Sequence, residues 1–164
     1  MLANFYTSHY HTPLGYLNLT ATDTHLVSCL FSDIAYPATP EQPAVLEQTI
    51  AQLREYFAGT RRHFELPLQP KGTEFQQKVW MQLRAIPFGK TCSYMDVARI
   101  VSGEKAIRAV GAANGKNPLC LIVPCHRVIG SDGSLTGYAG GLWRKEWLLQ
   151  HEGIRQPARQ LTFF

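Results

Sequence analysis

The segment Pro124-Cys125-His126-Arg127 combines the residue types of a nucleophilic site. It follows an apolar, strand-like run over residues 119–123. A free thiol has a pKa of about 8.5, and a neighbouring base or cation increases the thiolate fraction on which cysteine nucleophilicity depends. The segment therefore predicts nucleophilic chemistry at Cys125. On this segment alone the alternative stays open that Cys125 is a small buried apolar residue, as most unpaired cysteines are.

Further short motifs surround this segment along residues 72–153. In chain order the motifs read GTEFQQKVW, IPFGKTCSY, IRAVGAANGKNP, IVPCHRVIG, TGYAGG and KEWLLQHEG. In type, order and spacing they closely resemble the O6-alkylguanine-DNA alkyltransferases, the methylated-DNA–protein-cysteine methyltransferases. The related alkyltransferase-like proteins carry tryptophan at the position of Cys125, so the cysteine indicates a reactive member. Residues 1–70 resemble the family only in general layout.

The resemblance implies direct-reversal DNA repair, in which Cys125 irreversibly accepts an alkyl group from O6-alkylguanine and no cofactor takes part. O4-alkylthymine stays open as a further substrate. The family pattern assigns His126 as the base that takes the Cys125 proton through a water, and Glu152 as the carboxylate that orients His126, directly or through Arg127. Without the resemblance, Glu152 is a solvent-exposed charge at a helix C-cap. A carboxylate is unfavourable there for the helix dipole, which favours a partner for it.

Alkyl transfer from O6 requires the base to leave the duplex, because a sulfur cannot reach the alkyl carbon in line while the base is stacked. The resemblance assigns Tyr94 to crowd the 3′ phosphate and to offer its hydroxyl to guanine N3. It assigns Arg108 to fill the gap in the stack, a task that suits a planar guanidinium. It assigns Asn117 to tie together the segments around the cysteine. Without the resemblance, Tyr94 is equally well interpreted as an aromatic residue packed in the core. Asn117 is then interpreted as part of a turn.

Two short helices are predicted over residues 94–101 and 104–114, and together they have the outline of a helix-turn-helix. Ser93 and Asp96 predict a capping box at the first of them. The second offers few side chains that could read bases, and a tightly packed core helix is the alternative. The resemblance implies that this helix enters the minor groove with little sequence preference. Its predicted DNA-contacting small residues are Ala109, Gly111 and Ala112.

The loop over residues 136–141 is rich in glycine but matches no complete phosphate-loop motif. The resemblance implies that it forms a wall of the base pocket. Tyr138 would pack on the flipped purine, while Ala139 and Gly140 leave room and present backbone groups. Gly137 stands where some family members have asparagine.

The elements that must position these residues are an α+β pair of domains. Residues 16–20 and 25–31 predict a hairpin, and the apolar spacing over residues 43–57 predicts a helix. Breakers over residues 67–72 divide the chain into domains 1–70 and 71–164. The resemblance implies a small ribonuclease-H-like sheet domain followed by a winged-helix-like helical domain. The further predicted elements are a helix after the capping box of Thr73 and Gln76, which ends at residues 86–89, and a helix over residues 142–151.

Composition narrows the class of partner. The 164 residues are 45% apolar and carry a formal charge of +4, so a core can form and a polyanion is an allowed partner. The four cysteines show no CxxC pair or short Cys/His cluster, so we expect no zinc or other metal. The chain shows no signal peptide and no membrane span, so we expect it in the cytoplasm, or in the nucleus of a eukaryote. We also expect a monomer.

Two other classes of function stay open at this level. One is a lesion-sensing DNA-binding protein without transfer, which Cys125 in place of tryptophan disfavours. The other is a Cys-His hydrolase acting on small molecules or peptides, which Arg108, Tyr94 and the helix pair disfavour. Sustained turnover would identify the hydrolase, because a thioether product consumes the alkyl acceptor.

Overall fold

The computed structural model describes residues 4–154, so residues 1–3 and 155–164 of the two predicted domains lie outside the described residues. Within this range the chain forms two compact units. The first comprises the residues up to Lys71 together with residues 118–122, and the second comprises residues 72–117 and the residues from Val123 onward. The α+β fold class predicted from the sequence is confirmed.

The first unit is built on an antiparallel sheet of β1 (Tyr6–Thr12), β2 (Gly15–Ala21) and β3 (Leu26–Ser32), in that order. The predicted hairpin corresponds to β2 and β3. Sequence analysis missed β1, because its buried positions are the polar residues Ser8 and Thr12, so no hydrophobic alternation marks the strand. The helix α1 (Ala44–Phe57) packs on β1 and β2 and buries an apolar face against them.

Residues 119–123 are buried, but the prediction that they form a strand was wrong. Leu119 makes an isolated parallel bridge to Cys29, and the chain then turns. Leu121 has a φ of 74°, and the amide of Ile122 donates to the carbonyl of Cys120 at 2.9 Å. Prolines flank the run at both ends and supply no N–H for a ladder, so the run pairs at the single bridge of Leu119 and does not continue as a strand.

The second unit is mainly helical. Its elements are α2 (Glu74–Arg84), β4 (Cys92–Ser93), α3 (Tyr94–Val101), α4 (Ile107–Gly115), β5 (Val128–Ile129) and α5 (Leu142–His151). Both predicted capping boxes are present: Thr73 Oγ1 accepts from the amide of Gln76 at 3.1 Å, and Ser93 Oγ accepts from the amide of Asp96 at 3.0 Å. A cap of this kind stabilises a helix by about 1 kcal/mol.

The second helix of the predicted helix-turn-helix begins later than expected. Glu104–Ala106 is a 3₁₀ turn and α4 starts at Ile107, because Gly103 in the N-cap position of that turn has no side chain to bond its amides. Trp80 ties α2 to α4 by donating from Nε1 to the carbonyl of Ala113 at 2.8 Å. The ring of Trp80 also requires Gly72, since a Cβ at that position would lie 2.4 Å from it. Parallel pairing of β4 with β5 brings the 3₁₀ turn Cys125–Arg127 close to the start of α3.

Candidate active site

Cys125 is the first residue of the 3₁₀ turn Cys125–Arg127 and is 3% exposed. Its amide donates to the carbonyl of Val123 at 2.8 Å. Asn117 donates from Nδ2 to the same carbonyl, also at 2.8 Å. The side chain to which the resemblance assigned this task therefore joins the end of α4 to the backbone just before Cys125.

A buried network of charged side chains lies next to Cys125. His126 Nε2 and Glu152 Oε2 are 2.8 Å apart. Arg127 donates from Nε to Oε1 of Glu152 at 2.7 Å and from Nη2 to Oε2 at 3.0 Å, and its Nη1 donates to the carbonyl of Ile86 at 2.7 Å. Glu152 thus contacts His126 directly and Arg127 in bidentate fashion. It is not the exposed C-cap charge that its position at the end of α5 suggests when read alone.

The protonation states of this network follow from its contacts. Burial acts to raise the pKa of Glu152, but the hydrogen bonds and charges of His126 and Arg127 outweigh burial and hold that pKa well below its ordinary value. Burial lowers the pKa of His126, and the carboxylate of Glu152 only partly opposes this. At neutral pH Glu152 is therefore ionised and His126 neutral, and the hydrogen bond to the carboxylate assigns the imidazole proton to Nε2.

The other ring nitrogen of His126 is consequently a basic lone pair. Nδ1 is buried and accepts no hydrogen bond from the described residues. A buried acceptor of this kind is uncommon in folded proteins and often has a functional explanation. A neutral imidazole held by a carboxylate, with its free nitrogen beside a cysteine, can act as a general base for the thiol.

A cavity of about 410 Å³ lies within the second unit, and Asn114 in its wall donates to the carbonyl of Cys125 at 3.5 Å. One side is formed by a face of α4, with Ile107, Gly111 and Asn114 among its lining residues. Tyr94 and residues 136–139 form the remainder, and the hydroxyl of Tyr94 donates to the carbonyl of Thr136 at 2.9 Å. Pockets of this volume hold small organic ligands. Tyr94, Gly111, Tyr138 and Ala139, four of the residues predicted from the sequence, thus lie in the wall of one cavity.

Gly140 does not line this cavity; its carbonyl accepts from Nη1 of Arg144 at 2.9 Å. Arg108, Ala109 and Ala112 instead lie exposed on α4. Gly111 has open space where a Cβ would stand, so the small residues form an accessible strip rather than a packed core face. Such a strip permits close approach of a flat or grooved partner.

Sequence analysis missed Lys145. It is fully buried on α5, and its Nζ donates to the carbonyls of Val128 at 2.6 Å and Thr136 at 3.0 Å. Burial lowers the pKa of Lys145 to about 8, and the charge of Cys125 opposes that shift. The signal was its spacing: Lys145 lies three and seven residues before Leu148 and Glu152, on the buried face of α5. Lys145 therefore holds the backbone of the loop over residues 136–141, called the cavity loop below, and places a positive charge near Cys125.

Comparisons with known proteins agree with this arrangement. The models of the ribonuclease-like domain and of the DNA binding domain of 6-O-methylguanine DNA methyltransferase match residues 5–70 and 74–154. A methylated-DNA–protein-cysteine methyltransferase of Mycobacterium tuberculosis is 44% identical over 164 residues, which cover 95% of this chain and 98% of that protein. The constitutive enzyme of Bacillus subtilis is 43% identical over 160 residues, 92% of this chain and 96% of that protein.

Solved structures agree as well. The O6-methylguanine methyltransferase of M. tuberculosis superposes with a TM-score of 0.83 at 40% identity, covering 98% of this chain and 100% of that one. The M. tuberculosis OGT in complex with DNA gives a TM-score of 0.81 at 40% identity, covering 89% and 91%. The two-unit fold with a buried cysteine site is that of a DNA alkyltransferase. The chain belongs to the methylated-DNA–protein-cysteine methyltransferase family, as the sequence motifs predicted.

Two further observations concern metals and membranes. Among residues 4–154, no cluster of three or more histidine, cysteine, aspartate or glutamate side chains is arranged to hold a metal ion. No helix in the described part of the chain is long and apolar enough to cross a bilayer.

Proposed function

We propose that this chain repairs DNA by direct reversal, transferring the alkyl group of O6-alkylguanine to Cys125 in one irreversible step. The observation that carries the proposal is the buried hydrogen bond between Glu152 and His126, the residue that directly follows Cys125. Nδ1 of His126 is left available as a proton acceptor. The M. tuberculosis and B. subtilis relatives are named for methyl transfer from DNA to a protein cysteine, which supports the same reaction here.

The transfer begins with activation of the thiol. The proton of Cys125 passes by way of a water to Nδ1 of His126, and Glu152 stabilises the imidazolium that forms. The thiolate then attacks the alkyl carbon in line, so that the S–C bond forms as the C–O6 bond breaks and its electron pair passes to the guanine. Tyr94 donates its hydroxyl proton to guanine N3, and the proton that His126 took from Cys125 returns through water to restore the tyrosine. The products are a thioether and unmodified guanine. The positive charge of Lys145 favours the thiolate over the thiol.

The lesion reaches the cavity by leaving the duplex. Tyr94 lines the cavity with its hydroxyl on the carbonyl of Thr136, and this hydroxyl turns to guanine N3 as the base becomes a leaving group. Arg108, exposed on the same helix as the cavity wall, occupies the vacated place in the stack. Tyr138 and Ala139 hold the base in the cavity.

DNA binds through the minor groove to the exposed strip of α4, and the chain acts as a monomer. The small residues of the strip allow the backbone to approach the groove but provide few base-reading groups, so phosphate contacts dominate affinity. We expect the logarithm of the DNA-binding constant to fall linearly with the logarithm of the salt concentration, with a slope of about −0.9 per phosphate neutralised. Binding should depend little on the flanking sequence. A strong preference for one undamaged sequence would contradict this mode.

The reaction is tested by incubating the protein with excess DNA that contains labelled O6-methylguanine. Product should rise to one methyl group per chain and stop, and peptide mass analysis should place the methyl group on Cys125. Continued turnover with an unmodified Cys125 would instead identify the Cys-His hydrolase class.

A further inference from the structure

Asn114 is a buried polar residue of α4 for which the transfer mechanism gives no role. Its side chain lines the cavity and the residue is 3% exposed. Nδ2 makes a long hydrogen bond of 3.5 Å to the carbonyl of Cys125. Oδ1 is buried and accepts no hydrogen bond from the described residues.

A comparison with Asn18 indicates that the amide of Asn114 does not serve only to stabilise the fold. Asn18 is equally buried in the first unit, but its Nδ2 donates to the carbonyl of Ile34 at 2.9 Å and its Oδ1 accepts from the amide of Tyr36 at 2.8 Å. A desolvated acceptor without a donor is destabilising, and such groups are few in folded proteins. Because the orphaned oxygen of Asn114 belongs to a residue that lines a cavity, a donor on a bound molecule is the partner that this position fits.

The chemistry of the lesion identifies that donor. Alkylation at O6 removes the proton from N1 of guanine, so N1, N3, N7 and O6 are all acceptors. The exocyclic 2-amino group is then the remaining N–H donor of the base. O4-alkylthymine has lost its N3 proton in the same way and carries no amino group. An acceptor in the base pocket therefore distinguishes the two alkylated bases.

We propose that Asn114 is a specificity-determining residue, whose Oδ1 accepts a hydrogen bond from the 2-amino group of the flipped O6-alkylguanine. The inference rests on the proposed function, since it assigns a contact within the base pocket. The bond from Nδ2 to the carbonyl of Cys125 orients the amide so that Oδ1 is left for the base. Recognition of the purine is thereby coupled to the backbone of the nucleophile.

The test compares two single-stranded oligonucleotides, one with O6-methylguanine and one with O6-methylhypoxanthine, which lacks the 2-amino group. Single strands remove any difference in base pairing. The wild-type protein should react with the guanine lesion about tenfold faster, because a site built to bond an N–H group discriminates against an analogue without it. In Asn114→Leu the guanine rate should fall about tenfold and the hypoxanthine rate should stay near the wild-type value, so that the ratio approaches one.

Two further variants separate recognition from folding. Asn114→Asp keeps an acceptor at Oδ1, so it should keep the preference for guanine even where its charge slows both reactions. Asn18→Leu should lower the thermal midpoint and leave the ratio of rates unchanged. Equal slowing of both substrates by Asn114→Leu, or an unchanged ratio, would overturn the proposal. If the wild-type protein transferred no methyl group at all, the proposed function would fail instead.

Discussion

The helices α1 and α5 bury faces of different chemistry in the two units. The buried residues of α1 are Val45, Leu46, Thr49, Leu53 and Tyr56, and the hydroxyl of Thr49 donates to the carbonyl of Val45 at 2.7 Å. The buried residues of α5 are Arg144, Lys145, Leu148 and Leu149, with Glu152 buried at its C-cap. One face supports a sheet, whereas the other carries three ionisable groups.

This difference distinguishes a helix that supports the fold, α1, from a helix that contributes to the candidate site, α5. Apolar residues of similar volume would often stabilise the buried face of a helix to the same extent as ion pairs. The reason is that the cost of desolvating each ion offsets much of its attraction to its partner. The charges of α5 are instead accounted for by the candidate site. Arg144 and Lys145 hold carbonyls of the cavity loop, and Glu152 holds His126. Charged residues on a buried face are therefore the positions at which to test the chemistry.

The largest contrast lies between two buried cysteines, Cys29 of the first unit and Cys125 of the second. Burial raises the pKa of Cys29, so it remains a thiol. We expect Cys125→Ala to abolish transfer and to retain DNA binding, because the side chain is small and contacts no phosphate. Cys125→Ser should be inactive as well, since a hydroxyl ionises far less than a thiol. Cys29→Ala should reach the full endpoint. Label transfer and gel-shift assays measure both properties, and labelled Cys125→Ala protein would place the acceptor elsewhere.

Arg108 and Arg54 provide the second contrast, because both are exposed arginines on helices, one on α4 and one on α1. Arg108→Ala should slow repair of duplex DNA by roughly tenfold to a hundredfold, since unstacking and unpairing cost a few kcal/mol that the guanidinium offsets. Repair of a single-stranded lesion should change little. Arg54→Ala should leave both rates unaltered. Equal slowing of duplex and single-stranded repair by Arg108→Ala would assign Arg108 to the chemistry or to the fold.

Glu152 should tune the nucleophile more than the endpoint. In Glu152→Gln a neutral amide holds His126 less well, so we expect the burst to slow about tenfold while one methyl group per chain is still transferred. The exposed Glu47 on α1 is the matched control, and Glu47→Gln should not alter the burst. Loss of the endpoint in Glu152→Gln would mean that Glu152 maintains the fold instead.

The same carboxylate should make stability depend on pH. Burial acts to raise the pKa of Glu152, but His126 and Arg127 hold it well below its ordinary 4.5. The contribution of Glu152 is therefore fully present above about pH 4.5 and is lost as the pH falls below that value. Urea unfolding at about pH 7 and about pH 4 should show a smaller acid loss in Glu152→Gln than in the wild type. An equal acid loss in both proteins would exclude this linkage.

The expected effect of Lys145 on the transfer rate is no larger than that of Glu152. Lys145→Met removes the positive charge near the cysteine and should slow transfer about tenfold, with stability near neutral pH kept because an apolar replacement avoids burying an ion. Burial lowers the pKa of Lys145 from 10.5 to about 8 in the folded protein, so wild-type stability should rise as the pH increases from about 8 to 10.5. The variant should lack that rise. Thr49→Val on α1 should change stability alone, and a wild-type transfer rate in Lys145→Met would remove Lys145 from the mechanism.

Local patterns in the sequence predicted much of this protein. The capping boxes at Thr73 and Ser93, the bounds of α3 and α5, and the family of the chain all follow from residues close together in sequence. Such features depend on hydrogen bonds within one helical turn or on an ordered set of motifs, so no tertiary information is needed. The prediction of Cys125 as the nucleophile also rests on neighbouring residues in the sequence.

The tertiary structure determined which distant side chains surround Cys125. Glu152 is 26 residues from His126 along the chain, and only the docking of α5 converts a C-cap charge into a buried partner. Burial of Lys145 and the orphaned oxygen of Asn114 likewise depend on which face of a helix meets which loop. The apolar run at residues 119–123 turns after a single bridge instead of forming a strand, and β1 forms although its buried positions are polar. Sequence periodicity specifies which face of an element is buried, but the partner that meets a buried polar group is specified only by packing between distant segments.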